Sequence, residues 1–396
     1  MERARPRCIV VAILFLCSTL TWAQADPELS ATVGPGPKYK HPLAWIGPVY
    51  FHWHGMNKNG TPTGLYFSPW LPLEGRAKWD GSVAHHKKHD RYLINAGFNL
   101  ILFEDPKGWR WSQKNHLQSL KELKANGKKV PKVAPFFAAE SFKKFHRHKN
   151  FNRARDFNTF YGIVESWFKM FFKVMGRNDL AWYQDKVLIA MWNVESGFHE
   201  APPDFFQQMN SRLQRDFGFE AYWTVAPSWS DHGPDEINHL FWGREDVVHF
   251  NTLRNVDIRA GFWPLRNVDP ELFQARDGGE LYKEAWKQVV SKASRECGGK
   301  ANPSLVLIES YNEYQEASGI YPAQCMKYPN KKAYVGKPDR KTCLDRPCIS
   351  HKFKDKWANS CSNKRAPFRY LDISKSMIKE LNRKLASSGG GDCGSS

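Results

Sequence analysis

Short apolar, β-branched or aromatic runs alternate with longer amphipathic stretches along most of the chain. The runs fall at 49–53, 98–103, 132–137, 187–192, 219–226, 246–251, 258–263 and 304–309. Their length and residue types predict strands. The intervening stretches carry apolar residues three and four apart, which predicts helices at 80–95, 112–126, 157–176, 203–216 and 279–294, with a last one at 371–385. Gly97 is placed to stop the first helix.

Strands alternating with helices predict βα units and a parallel sheet. Eight of them suggest an α/β fold of the closed (β/α)8, or TIM-barrel, type. The competing open doubly wound sheet usually shows a Gly-rich turn after its first strand, and none follows residue 53. The expected barrel domain covers 45–386, after a Pro- and Gly-containing lead-in at 26–44. A Cys-rich insertion at about 324–367 precedes the last helix, and 387–396 is a Gly/Ser-rich tail.

Composition sharpens this picture. A chain of 396 residues with 41% hydrophobic and 25% charged residues is not a disordered polymer. Its 16 Trp, 14 Tyr and 26 Phe suit either sugar-stacking surfaces or an aromatic core. The net charge of +18 favours anionic partners, and an acidic or sulfated glycan fits it. No nucleic-acid-binding motif accompanies the charge, so nucleic acid is not an expected partner. Nothing in the pattern sets an oligomeric state.

Residues 1–25 read as a secretory signal. Arg3, Arg5 and Arg7 form its basic start, 8–20 its apolar stretch and Ala23-Gln24-Ala25 its cleavage site. That stretch is short for a membrane span, and no later one qualifies. The expectation is a secreted protein without a membrane span. Six Cys follow the signal, and Cys325, Cys343, Cys348 and Cys361 cluster in the insertion. In an oxidising compartment they predict disulfides, with a zinc site as the rival. Asn59-Gly60-Thr61 is a glycosylation acceptor pattern.

In such a barrel the loops after the strands carry the chemistry. Polar residues and Trp gather there: His52, His54, Glu104, Asp105, Glu140, Asn193, Glu195, Trp229, Asp231, Asn251 and Trp263. These are the candidates for holding substrate. Lys107, Arg110, Arg254 and Arg259 also fall near strand ends, where they suit an anionic sugar.

The most informative stretch runs from Ile308 through Glu309-Ser310-Tyr311-Asn312-Glu313-Tyr314-Gln315-Glu316 to Ile320-Tyr321-Pro322. Two glutamates three apart, leaving a strand, can face one cleft, and close carboxylates push each other's protonation apart. Glu195 with Glu313 is a second pairing. The stretch resembles the S-x-N-E-W-x-E-G-x-x-I-E-P segment of glycoside hydrolase family 99, the endo-α-mannosidases and their relatives of unassigned function. That resemblance implies a carbohydrate substrate and no cofactor. It implies that Glu313 helps the sugar 2-hydroxyl attack its own anomeric carbon, and that Glu316 is the general acid, then base. Tyr311 and Asn312 would orient the substrate. Tyr314 stands for Trp, Gln315 for the usual His, Ala317 for Gly and Tyr321 for the later Glu, so the reaction class carries over and the mannose does not.

Two other readings compete. One is a secreted glycan-binding protein that does not cleave. The other is a metal-dependent hydrolase, since His52 and His54 resemble the metal-binding pair after the first strand of amidohydrolases. That family also needs His after the fifth and sixth strands and Asp after the eighth. Here His232 and His249 are poorly placed and the last strand offers Glu. His85-His86-Lys87-Lys88-His89 reads as a solvated, basic helix face.

Overall fold

The computed structural model describes residues 42–52, 70–74, 79–104, 110–138, 149–192, 198–225, 238–239, 248–250, 255–260, 277–295, 301–312, 319–325 and 367–388. Eight strands form a parallel sheet: β1 (Trp45–Tyr50), β2 (Leu100–Glu104), β3 (Lys132–Ala138), β4 (Lys186–Trp192), β5 (Ala221–Val225), β6 (Asn238–His239), β7 (Asn255–Arg259) and β8 (Leu305–Glu309). Their order is β6-β5-β4-β3-β2-β1-β8-β7. The last strand therefore lies beside the first, with Trp45 opposite Leu305 and Pro48 opposite Ile308. Sequential order with the first and eighth strands in contact is what a sheet curling on itself produces, and it excludes the doubly wound order.

Six helices are described: α1 (Val83–Ala96), α2 (Arg110–Ala125), α3 (Ala154–Phe172), α4 (Phe205–Phe217), α5 (Glu280–Lys292) and α6 (Arg369–Ser387). All six fall close to their expected places. Ser82 caps α1 by accepting from the His85 amide, and Gly97 ends it in the left-handed region at φ 90°. None of these helices is long and apolar enough to cross a membrane.

The sixth and seventh strands differ from expectation. Val248–Phe250 lies antiparallel to β7, with Val248 opposite Ile258. The sixth place in the parallel order goes to Asn238–His239, which follows β5. A run of β-formers shows that a strand exists but not its direction, so a hairpin partner passed for a barrel strand.

Period two divides the sheet into two faces, and each has its own core. Trp45, Val49, Leu100, Leu102, Ala134, Phe136, Leu188, Ala190, Tyr222, Leu305 and Leu307 pack together on the inner face. Ile46, Tyr50, Ile101, Phe103, Val133, Phe137, Val187 and Ile189 face the helices. Gly47 permits the close approach of β1 and β2. A Cβ there would sit 2.1 Å from the Leu100 carbonyl oxygen.

The aromatic excess is largely structural among the described residues. Trp45, Trp79, Trp167, Trp182, Trp223 and Trp286 are buried, and Trp111 is the exposed exception. Phe151, Phe157, Phe160 and Phe205 pack ring against ring where α3 meets α4. Each such side chain contributes roughly 2 kcal/mol or more by leaving water.

Candidate active face

The two faces of the sheet decide where the polar strand ends go. Glu104 follows Leu100 and Leu102 in register, and Glu309 follows Leu305 and Leu307. Arg259 stands opposite Glu309 across the β7–β8 pair and alternates with the helix-facing Val256 and Ile258. All three thus close the carboxyl end of the inner face, and all three are buried. Arg259 donates to Glu309 across 3.0 Å. Glu309 was visible in the sequence as a strand end but was not singled out. Its spacing from Leu305 and Leu307 was the available signal.

His52 has the opposite parity, in step with Ile46 and Tyr50, and joins a polar layer between the sheet and α1 and α2. Its Nδ1 lies 3.2 Å from the Glu104 carbonyl and its Nε2 lies 3.2 Å from His116 Nδ1. His116 Nε2 meets Asp90 Oδ1 at 2.6 Å, and Ser119 donates to the other Asp90 oxygen at 2.5 Å. His86 stacks on His116 at a centroid distance of 4.4 Å and bonds Tyr50 and Ser112. Gln113 donates to the Glu104 carbonyl at 2.7 Å.

This chain therefore runs from the Glu104 carbonyl through His52 and His116 to Asp90, and all four residues are buried.

A second chain runs beside it. His89 Nδ1 lies 2.5 Å from the Tyr311 hydroxyl and His89 Nε2 lies 2.6 Å from Glu74 Oε1. Burial pushes the Glu74 carboxyl up, but His89 and Lys88 outweigh it and bring it down to about 2. Burial also holds the His89 imidazole below its ordinary value, against the pull of Glu74. Tyr311 is pushed well above the ordinary phenol range, chiefly by burial. Neutral His89 therefore donates Nε2–H to the Glu74 carboxylate and accepts from the Tyr311 O–H.

The histidines of α1 overturn the expected solvated face. His85, His86 and His89 are buried, while Lys87 and Lys88 sit at the margin. His85, His89, Leu93 and Ala96 recur at helical spacing on one face, so the two apolar members marked it as inward.

Of the residues expected to act, His52, Glu104, Tyr311 and Asn312 are described. His54, Asp105, Glu140, Asn193, Glu195, Trp229, Asp231, Asn251, Trp263, Glu313 and Glu316 lie outside the described residues. So do the signal segment, most of the Cys-rich insertion and most of the tail. Both ring nitrogens of His52 have partners within the protein, at 3.2 Å each. Asn312 Oδ1 accepts from the Phe51 amide at 2.7 Å, and its Nδ2 donates to the Phe51 carbonyl at 2.6 Å. Arg110 reaches Ser166 and the Ile163 carbonyl on α3.

Known structures share this architecture. Two are of a family 99 endo-α-mannosidase from Bacteroides thetaiotaomicron, one of them in complex with bis-tris-propane. They match with TM-scores of 0.57 and 0.53 at 13% identity, covering 87% of this chain and 98% of theirs. A glycoside hydrolase-like protein matches with a TM-score of 0.51 at 13% identity, over 89% of this chain and 98% of its own. The fold is that of the family 99 hydrolases. No protein-family model and no curated protein matches the sequence. The family 99 likeness thus rests on the fold over 87% of the chain and on the short motif after β8.

Proposed function

We propose that this protein is a secreted glycoside hydrolase built on a closed (β/α)8 barrel. It cleaves glycosidic bonds in a polysaccharide or glycoprotein glycan, with Glu313 and Glu316 as the catalytic pair. The observation that carries the reading is the junction after β8. Asn312 clamps the β8 exit to the β1 exit through both polar atoms of Phe51, and Glu313 is the next residue in the chain. A catalytic carboxylate needs such a rigid origin to meet its substrate in one geometry. The likeness of the fold to a solved endo-α-mannosidase supports the same reading.

In this reading Glu313 takes the proton of the sugar 2-hydroxyl as that oxygen attacks the anomeric carbon. Glu316 gives its proton to the departing glycosidic oxygen. As a carboxylate it then takes a proton from the water that completes hydrolysis, and the 2-oxygen regains its own. The net charge of +18 favours an acidic or sulfated glycan, and the insertion is held by disulfides.

The test sets wild type against Glu313→Gln and Glu316→Gln on a panel of neutral, uronate-bearing and sulfated glycans, with new reducing ends as the readout. Wild type should cleave at least one class. Each variant should lose about 100-fold or more of that rate while still binding the glycan. A wild type that binds a glycan and cleaves none of the panel would overturn hydrolysis in favour of binding alone.

A further inference from the structure

We propose that Glu74, His85 and His89 form a binding site for a divalent transition-metal ion, zinc being the ion their donors suit. His85 and His89 stand one turn apart on α1, and their ring centroids are 4.5 Å apart. Glu74 reaches them from the turn after the short strand Trp70–Pro72, which pairs with Ala323–Cys325. One donor atom from each residue lies within 4.8 Å of the others. Two imidazoles at this helical spacing with a carboxylate make a recurrent zinc set. The site does not depend on the hydrolase reading.

The surroundings are those of a held site. Trp79 packs edge-on against both rings, at 4.5 and 4.4 Å, and fixes their planes. Lys88 Nζ holds the second oxygen of Glu74 at 3.2 Å. A ligating imidazole usually donates its other N–H to a neighbouring acceptor, and the Tyr311 oxygen is in place to receive it. On binding, the His89 proton moves from Nε2 to Nδ1 and the hydrogen bond to Glu74 gives way to the ion. Donors around a tetrahedral zinc stand about 3.4 Å apart. The Glu74–His89 pair, at 2.6 Å, therefore opens by about 0.8 Å to admit the ion. The ion would pin the 70–74 turn to α1.

The experiment uses the full chain, stripped with a chelator, dialysed against zinc chloride and passed through gel filtration before metal assay. Wild type should retain one equivalent more than His85→Gln, and zinc should raise the melting temperature of wild type only. Tyr311→Phe should weaken retention about tenfold or more. Cobalt(II) in the site should give visible d–d bands without sulfur-to-metal charge transfer, which separates it from the cysteines. Should His85→Gln fail to fold, Glu74→Gln carries the same comparison. Equal zinc in wild type and variant, or a cobalt spectrum made of thiolate bands alone, would overturn the site.

Discussion

His89 on α1 and Tyr311 after β8 share a hydrogen bond of 2.5 Å across 222 residues of sequence. Both side chains are buried, so the bond has no competing water. It ties the first helix to the exit of the last strand, one residue before Asn312. Removing only the hydroxyl in Tyr311→Phe leaves the His89 nitrogen without this donor. The expected loss is about 1–3 kcal/mol, read by urea unfolding of metal-free protein. An unchanged midpoint would show that the bond contributes nothing.

Asn312 is the second tie. It meets the Phe51 backbone with an acceptor and a donor, 261 residues away in sequence. Asn312→Ala deletes both bonds and buries a backbone N–H and C=O without these partners. A loss of about 2–4 kcal/mol is expected, larger than for Tyr311→Phe. Thermal melting of the two variants side by side checks the order.

The Arg259–Glu309 pair is buried on both sides, at 4% side-chain exposure each. Arg259→Met strips Glu309 of its guanidinium and should destabilise by about 3–5 kcal/mol. Adding Glu309→Gln should restore part of that, because the double variant no longer buries a carboxylate without that guanidinium. A double-mutant cycle measures the coupling, and strictly additive losses would show that the two charges act independently.

Acid should loosen the α3–α4 contact. Burial raises the Asp216 carboxyl, but Arg215 and Tyr161 outweigh it and leave the group below its ordinary 3.8. A depressed carboxyl contributes stability above its unfolded value and loses it as pH falls through the folded value. Tyr161→Phe removes one donor, so its melting temperature should fall less steeply than wild type between about pH 5 and pH 2. Parallel acid limbs would show that Tyr161 does not hold the carboxylate.

Much of the sheet was legible in the sequence. The runs at 98–103, 132–137 and 187–192 became β2, β3 and β4 because buried parallel strands are apolar throughout. Gly97 marked the end of α1 because only a residue free of steric strain ends a helix at positive φ. Direction was not legible, so Val248–Phe250 passed for a barrel strand. The polar layer was hidden for another reason. His85 and His89 look hydrophilic one at a time, and their burial depends on partners far along the chain, Glu74 and Tyr311. Parity alone would have sent His52 towards the helices and Glu104 and Glu309 towards the inner face.

The contact of β1 with β8 sets the order in which the molecule can be completed. Trp45 leaves the ribosome early, yet its neighbour Leu305 is translated only near the end. Until then one long edge of the nascent sheet keeps its amides and carbonyls unpaired, open to other chains as much as to its own. Completion is a late step that no early fragment can rehearse, and a polypeptide cut short before β8 would offer that edge to aggregation.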